Sequence, residues 1–150
     1  MTFKIPPLVL VIIFAFLMWL TEAFLLVGKF SNSWGVVLAI SFGALGLIVA
    51  LQGVSEFRKT NTTLDPRFPE RTSSLVTTGV YQISRNPMYL GFLLILIGWA
   101  FYLSHGFTFV FLPAFVCYIN RFQIRPEENY MQSKFGDDYK RYTMSVRRWL

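Results

Sequence analysis

This chain has very few of the residues from which most catalytic sites are built. It has one cysteine, Cys117, so no disulfide framework can form within it. It has one histidine, His105. One His and one Cys are too few for a zinc or iron site of the usual ligand sets. No Gly-rich phosphate loop of either common spacing occurs, and no Ser-His-Asp set can be assembled. Charge is scarce too: charged residues make up 15% of the chain, against roughly a quarter in a soluble domain. What fills the space is apolar, with 54% hydrophobic residues. The length of 150 residues suits a single domain.

The apolar residues fall into four segments, at 7–27, 34–51, 88–103 and 107–119. A membrane-spanning helix needs ~20 apolar residues. The first two segments meet that length with one internal charge, Glu22. The last two are shorter and are separated only by Ser104-His105-Gly106. They read as a tight helical hairpin, with Tyr89 and Tyr102 extending the third segment at the interface and residues up to Phe122 extending the fourth. The first segment is too long for a signal peptide, and no small-residue cleavage pattern follows it, so it reads as a retained anchor. The expected fold is an all-α integral membrane domain of four spans followed by an amphipathic C-terminal helix. Residues 1–54 carry two N-terminal spans and residues 55–150 the chemically active region.

The net charge of +6 is unevenly placed. With four spans, Lys4, Arg58, Lys59, Arg67, Arg71, Arg85, Arg121, Arg125, Lys134, Lys140, Arg141, Arg147 and Arg148 share one side, and only Lys29 lies on the other. Thirteen against one is a strong positive-inside asymmetry. It puts both termini and the central loop in the cytoplasm and directs the basic residues to lipid headgroups, not to nucleic acid.

The central loop, about 55–86, is punctuated. Asp65-Pro66 and Phe68-Pro69 force extended or turn geometry. Leu75-Val76-Thr77-Thr78-Gly79 reads as an extended piece ending in a turn. Asn86-Pro87 reads as a helix start, with Asn86 as N-cap and Pro87 at the first helical position. Pro126 reads as the start of a further helix whose broken apolar face carries Tyr130, Phe135, Tyr139 and Tyr142, with a break at Gly136-Asp137. That tail lies against the headgroups or folds back over the bundle.

Arginines, tyrosines and carboxylates at the cytoplasmic boundary remain as candidates. Tyr81, Arg85 and Tyr89 are spaced by four. Arg121, Arg125 and Glu128 share a face if a helix runs through Pro126. Each also has an ordinary explanation. Arginines at helix ends snorkel, tyrosines form interfacial belts, and Glu127-Glu128 complements a helix dipole after Pro126. Glu22 can reach the interface or pair with Lys29 two turns on. His105 and Cys117 read as structural.

The order of the motifs goes further than their spacing. Thr62-Thr63-Leu64-Asp65-Pro66, then Leu75-Val76-Thr77-Thr78-Gly79-Val80-Tyr81, then Arg85-Asn86-Pro87-Met88-Tyr89-Leu90-Gly91, then a short hairpin, then Glu127-Glu128, then Phe135-Gly136-Asp137-Asp138-Tyr139 and Tyr142: this series resembles the isoprenylcysteine carboxyl methyltransferase family and the related phospholipid methyltransferases, over about residues 55–150. The family's commonest form has His where Asn86 stands, and a C-terminal Val-Pro-Arg where this chain has Val146-Arg147-Arg148. Asn retains hydrogen bonding and capping but cannot titrate near neutrality, so a base role does not fit there; small bacterial members of the family share the Asn form.

The resemblance implies an integral membrane enzyme, in a bacterial inner membrane, that moves a methyl group from S-adenosylmethionine to a lipidic or prenylcysteine-like acceptor, carboxylate O-methylation being favoured. It implies a cofactor site at Ser74, Leu75, Val76, Tyr81, Asn86, Pro87, Met88, Tyr89 and one of Glu127 or Glu128, and acceptor positioning by Arg121 or Arg125. Two other classes are compatible with a membrane bundle of this kind. One is a sterol-type NADPH-dependent reductase, though such chains are much longer. The other is a non-catalytic scaffold, which has no need of the paired carboxylates.

Overall fold

The computed structural model describes residues 5–59 and 74–150. The Asp65-Pro66, Phe68-Pro69 and Thr62–Pro66 features lie outside the described residues, as do Lys4, Arg67 and Arg71. Among the described residues the architecture is all helical: α1 (Pro7–Phe24), α2 (Gly35–Lys59), α3 (Pro87–Leu103), α4 (Phe111–Ile119) and α5 (Arg125–Ser145). A 3-10 turn at Gly79–Gln82 precedes α3, another at Gly106–Val110 leads into α4, and a π-helical turn at Asn120–Ile124 joins α4 to α5.

Among the described residues, three helical stretches are long and apolar enough to cross a membrane: Pro7–Phe24, Gly35–Lys59 and the continuous run Gly106–Ser145. The fourth apolar helix, Pro87–Leu103, is shorter. At 1.5 Å per residue its 17 residues span about 25 Å. Outward-facing side chains on α1 and α2 are large and apolar, including Leu8, Ile12, Phe16, Ile40, Leu47 and Leu51. This is the arrangement of a bundle solvated by lipid rather than water.

α2 and α3 run antiparallel in close contact. Gly35 faces the Phe101 carbonyl, Gly98 the Ala39 carbonyl, Gly46 faces Gly91 and Ile95, and Gly53 faces Pro87 and Met88. A Cβ at Gly46 would stand 2.5 Å from the Gly91 carbonyl oxygen, and one at Gly91 would meet both the Gly46 carbonyl and the Ala50 amide. Only hydrogen fits between these backbones. In lipid no hydrophobic force drives helices together, so small residues that permit close approach hold such seams. The Trp99 indole closes the other side of α3, donating from Nε1 to the Ala15 carbonyl of α1 at 3.0 Å.

The α1–α2 and α3–α4 connections meet at one end. Phe30 donates its amide to the Ser104 carbonyl at 3.0 Å, and Gly106 to the Gly28 carbonyl at 2.8 Å. The tight α3–α4 turn is the one expected at residues 104–106, with Ser104 in the left-handed conformation (φ 49°). His105 is fully buried there. Its Nε2 lies 3.3 Å from the Leu25 carbonyl. A carbonyl only accepts, so Nε2 carries the proton. Lys29 pairs with Glu22 at 2.7 Å, reaching it from the non-helical segment after α1 ends at Phe24 and not from two turns further along a helix.

Several boundaries differ from those expected. α2 continues through Lys59, so the central loop does not begin at Ser55. The last polar turns, Gln52 to Lys59, stay helical because Gly53 still packs on α3 and Arg58 and Lys59 complement the helix C-terminus. Pro126 does not begin a separate helix. It sits in the first turn of α5, which continues from α4 through the π turn. Proline has no N–H to offer the preceding turn, and a π turn accommodates that defect without a break. The break at Gly136 is present, with φ 51° and ψ −120° inside α5.

Candidate functional site

The end of the molecule opposite the 104–106 turn gathers most of the polar residues singled out in the sequence. Thr78 is extended and Gly79 turns the chain with φ 59°. A side chain at Gly79 would collide with the Glu56 carboxylate, which accepts from the Thr78 hydroxyl at 2.7 Å. This turn drives Tyr81 inward. Its ring lies edge-to-face on Phe57 at 5.4 Å, and Val76, Tyr81, Tyr139, Tyr142 and Val146 form one buried cluster with Leu75 packed against it. Burial, reinforced by the neighbouring Tyr142, Glu127 and Glu56, pushes the Tyr81 phenol well above its ordinary range, so it stays neutral. The Tyr142 hydroxyl donates to the Tyr81 carbonyl at 2.7 Å. The C-terminal part of α5 therefore packs on the 79–82 turn and on Phe57 near the end of α2.

Asn86 is the N-cap residue of α3 and Pro87 opens the helix, as expected. The Asn86 side chain does not cap, however. Its Nδ2 donates to the Arg148 carbonyl at 2.9 Å. A turn further on, Tyr89 is buried, and its hydroxyl donates to Glu127 Oε1 at 2.8 Å. Met88 packs beside Gly53.

The paired carboxylates have different partners. Glu128 is gripped by two guanidinium groups: Arg148 forks onto it through Nε at 3.0 Å and Nη2 at 2.6 Å, and Arg85 Nη2 reaches it at 3.1 Å. Arg85 is thus an internal ion-pair partner, not a snorkelling anchor. Two buried donors at this end have no hydrogen-bond partner among the described residues, Ser74 Oγ and Arg85 Nε. Unmatched buried donors are uncommon in folded proteins and mark places where a ligand group can complete the bonding.

Arg121 and Arg125 lie apart from this network. Both are exposed, and Arg121 rests 5.8 Å from the Phe122 ring centroid. Although the helix does run through Pro126, Glu128 turns inward to Arg85 and Arg148 while the two arginines face outward. The π turn adds a residue to the helical turn and shifts the faces that simple spacing would align. Sequence spacing also missed Arg148, Ser84 and Asn120. Arg148 stands 20 residues from Glu128, a separation that no local periodicity reports.

A family model for phospholipid methyltransferases matches residues 34–138, from just before α2 to just past the break in α5. That stretch takes in α2, upstream of the motifs beginning near residue 55. An uncharacterized protein of Haemophilus influenzae is 49% identical over 63 residues, covering 42% of this chain and all of that protein. Protein-S-isoprenylcysteine O-methyltransferase B of Arabidopsis thaliana is 38% identical over 80 residues, covering 51% of this chain and 39% of that protein's length. No solved structure matches. With the family model covering more than two thirds of its length, this chain belongs to the phospholipid methyltransferase family.

Proposed function

We propose that this protein is an integral membrane methyltransferase that takes a methyl group from S-adenosylmethionine and gives it to a lipidic or prenylcysteine-like acceptor, carboxylate O-methylation being favoured. The four apolar helices cross the membrane, with the 104–106 turn outside and both termini in the cytoplasm. The observation that carries this reading is the meeting of Tyr89 and Glu127 beside the Asn86–Pro87 helix start, within a family of methyltransferases.

The residues present fit the donor. Glu127 offers a carboxylate for the hydroxyls of a ribose or for an ammonium group. Ser74 holds a buried hydroxyl in need of a partner. Leu75, Val76 and Tyr81 give an apolar and aromatic wall, and aromatic faces attract a sulfonium by cation–π interaction. When bound, S-adenosylmethionine supplies an electrophilic methyl group on a positively charged sulfur. The chain's task is then chiefly to position donor and acceptor in line. An acceptor that is already an anion needs no base, consistent with Asn at position 86. Arg121 and Arg125, outward-facing at the α4–α5 junction, hold an anionic acceptor headgroup, as arginine forks do for carboxylates and phosphates.

Of the two carboxylates, we assign the donor contact to Glu127, because it is the one that meets Tyr89 beside the Asn86–Pro87 helix start. Calorimetry on the detergent-purified protein should show S-adenosylmethionine or its demethylated product binding in the micromolar range or better, about −8 kcal/mol. Binding of NADPH in its place would move the protein to the reductase class. Binding of neither would favour a scaffold.

A further inference from the structure

Residues 146–150 leave α5 through an extended Val146 and run without helix past the start of α3. Their contacts are few but concentrated on the two segments that form the candidate site. Arg85 donates its amide to the Arg147 carbonyl at 3.0 Å. Asn86 Nδ2 donates to the Arg148 carbonyl at 2.9 Å, and Ser84 Oγ to the same oxygen at 3.4 Å. The Arg148 guanidinium forks onto Glu128, and Trp149 Nε1 donates to Asn120 Oδ1 at 3.1 Å. Arg148 therefore touches both walls at once, α3 through its backbone and α5 through its side chain.

We propose that Arg148 is a positioning residue for this site, acting through Glu128 and Asn86 to hold Tyr89 against Glu127. The inference rests on the donor-site reading above. Adjacent helical residues point about 100° apart. Fixing Glu128 toward Arg148 and Arg85 therefore fixes the rotation of the first turn of α5, and with it the direction of Glu127. The same residue's carbonyl anchors Asn86, three positions before Tyr89. Exposed ion pairs of this type contribute little. This one is bidentate, shared with a second arginine, and leaves the Glu128 side chain only 17% exposed. Charge-assisted forks of this geometry hold orientation as well as energy.

The test compares Arg148→Ala, Arg148→Lys, Glu128→Gln and the Arg148→Ala/Glu128→Gln double variant with wild-type protein in detergent. One readout is S-adenosylmethionine affinity. The other is amide hydrogen exchange over residues 84–90 and 125–131. Arg148→Ala and Glu128→Gln should each weaken binding about tenfold, and the double variant should be no worse than either, as for residues coupled in one network. Arg148→Lys, which keeps the charge but loses the fork, should recover part of the affinity; it also serves if Arg148→Ala does not fold. Exchange should quicken in those two segments while the centres of α2 and α3 stay protected. Wild-type affinity and exchange in Arg148→Ala, or effects of the two single changes that simply multiply, would overturn the proposal. If wild-type protein binds no donor, the donor-site reading fails, and the exchange comparison alone decides whether Arg148 holds the two walls together.

Discussion

Glu127→Gln is expected to lower S-adenosylmethionine affinity by about 10- to 100-fold while the helical content and melting behaviour stay unchanged. Hydrogen bonds to charged groups contribute about 1.5–3 kcal/mol, and each 1.4 kcal/mol is tenfold in affinity. Gln keeps the shape of the side chain but removes the charge and one acceptor oxygen. Tyr89→Phe should weaken binding about tenfold, because the Tyr89 hydroxyl holds Glu127 Oε1 at 2.8 Å and its ring is otherwise retained. Calorimetry on both variants checks the pair. Unchanged affinity in both would move the donor site away from this carboxylate.

Gly91→Val is expected to cost about 3 kcal/mol or more, the upper range of overpacking effects. A Cβ there meets the Gly46 carbonyl and the Ala50 backbone amide, neither of which can swing aside like a side chain. α2 and α3 would have to separate along their length. Gly46→Val should behave alike, with Ile95 also in the way. Gly43 is the internal control: nothing lies within 4 Å of a Cβ built on it. Gly43→Ala should be neutral or stabilise by up to about 1 kcal/mol through helix propensity. Unfolding in detergent followed by circular dichroism distinguishes the three. Equal stability of Gly91→Val and Gly43→Ala would refute the close seam.

The helices themselves were readable because long apolar runs in a chain this poor in charge admit few other structures. The Asn86-Pro87 start, the 104–106 turn and the Gly136 break were readable for a local reason: capping and left-handed conformations are set by the residues at those positions. The seam left a signal that apolar periodicity does not register. Ala39, Gly46 and Gly53 recur every seven residues on α2, as Gly91 and Gly98 do on α3. The site was only partly readable. Motif order singled out Tyr89 and the Glu127-Glu128 pair as candidates, but the different partners of the two carboxylates depend on Arg85 and Arg148, which reach Glu128 from 43 and 20 residues away. The outward turn of Arg121 and Arg125 depends on a π turn, which no residue pattern announced.

Transfer of a labelled methyl group would show whether this chain moves methyl groups at a membrane surface. Membranes containing the protein are supplied with S-adenosylmethionine labelled in its methyl group, together with a lipid and protein extract of the host. Label is expected in a lipidic product, released by mild base as methanol if the product is a carboxyl methyl ester, with markedly less label for Glu127→Gln. Label no greater than in membranes lacking the protein, with wild-type chain folded and present, would contradict that activity.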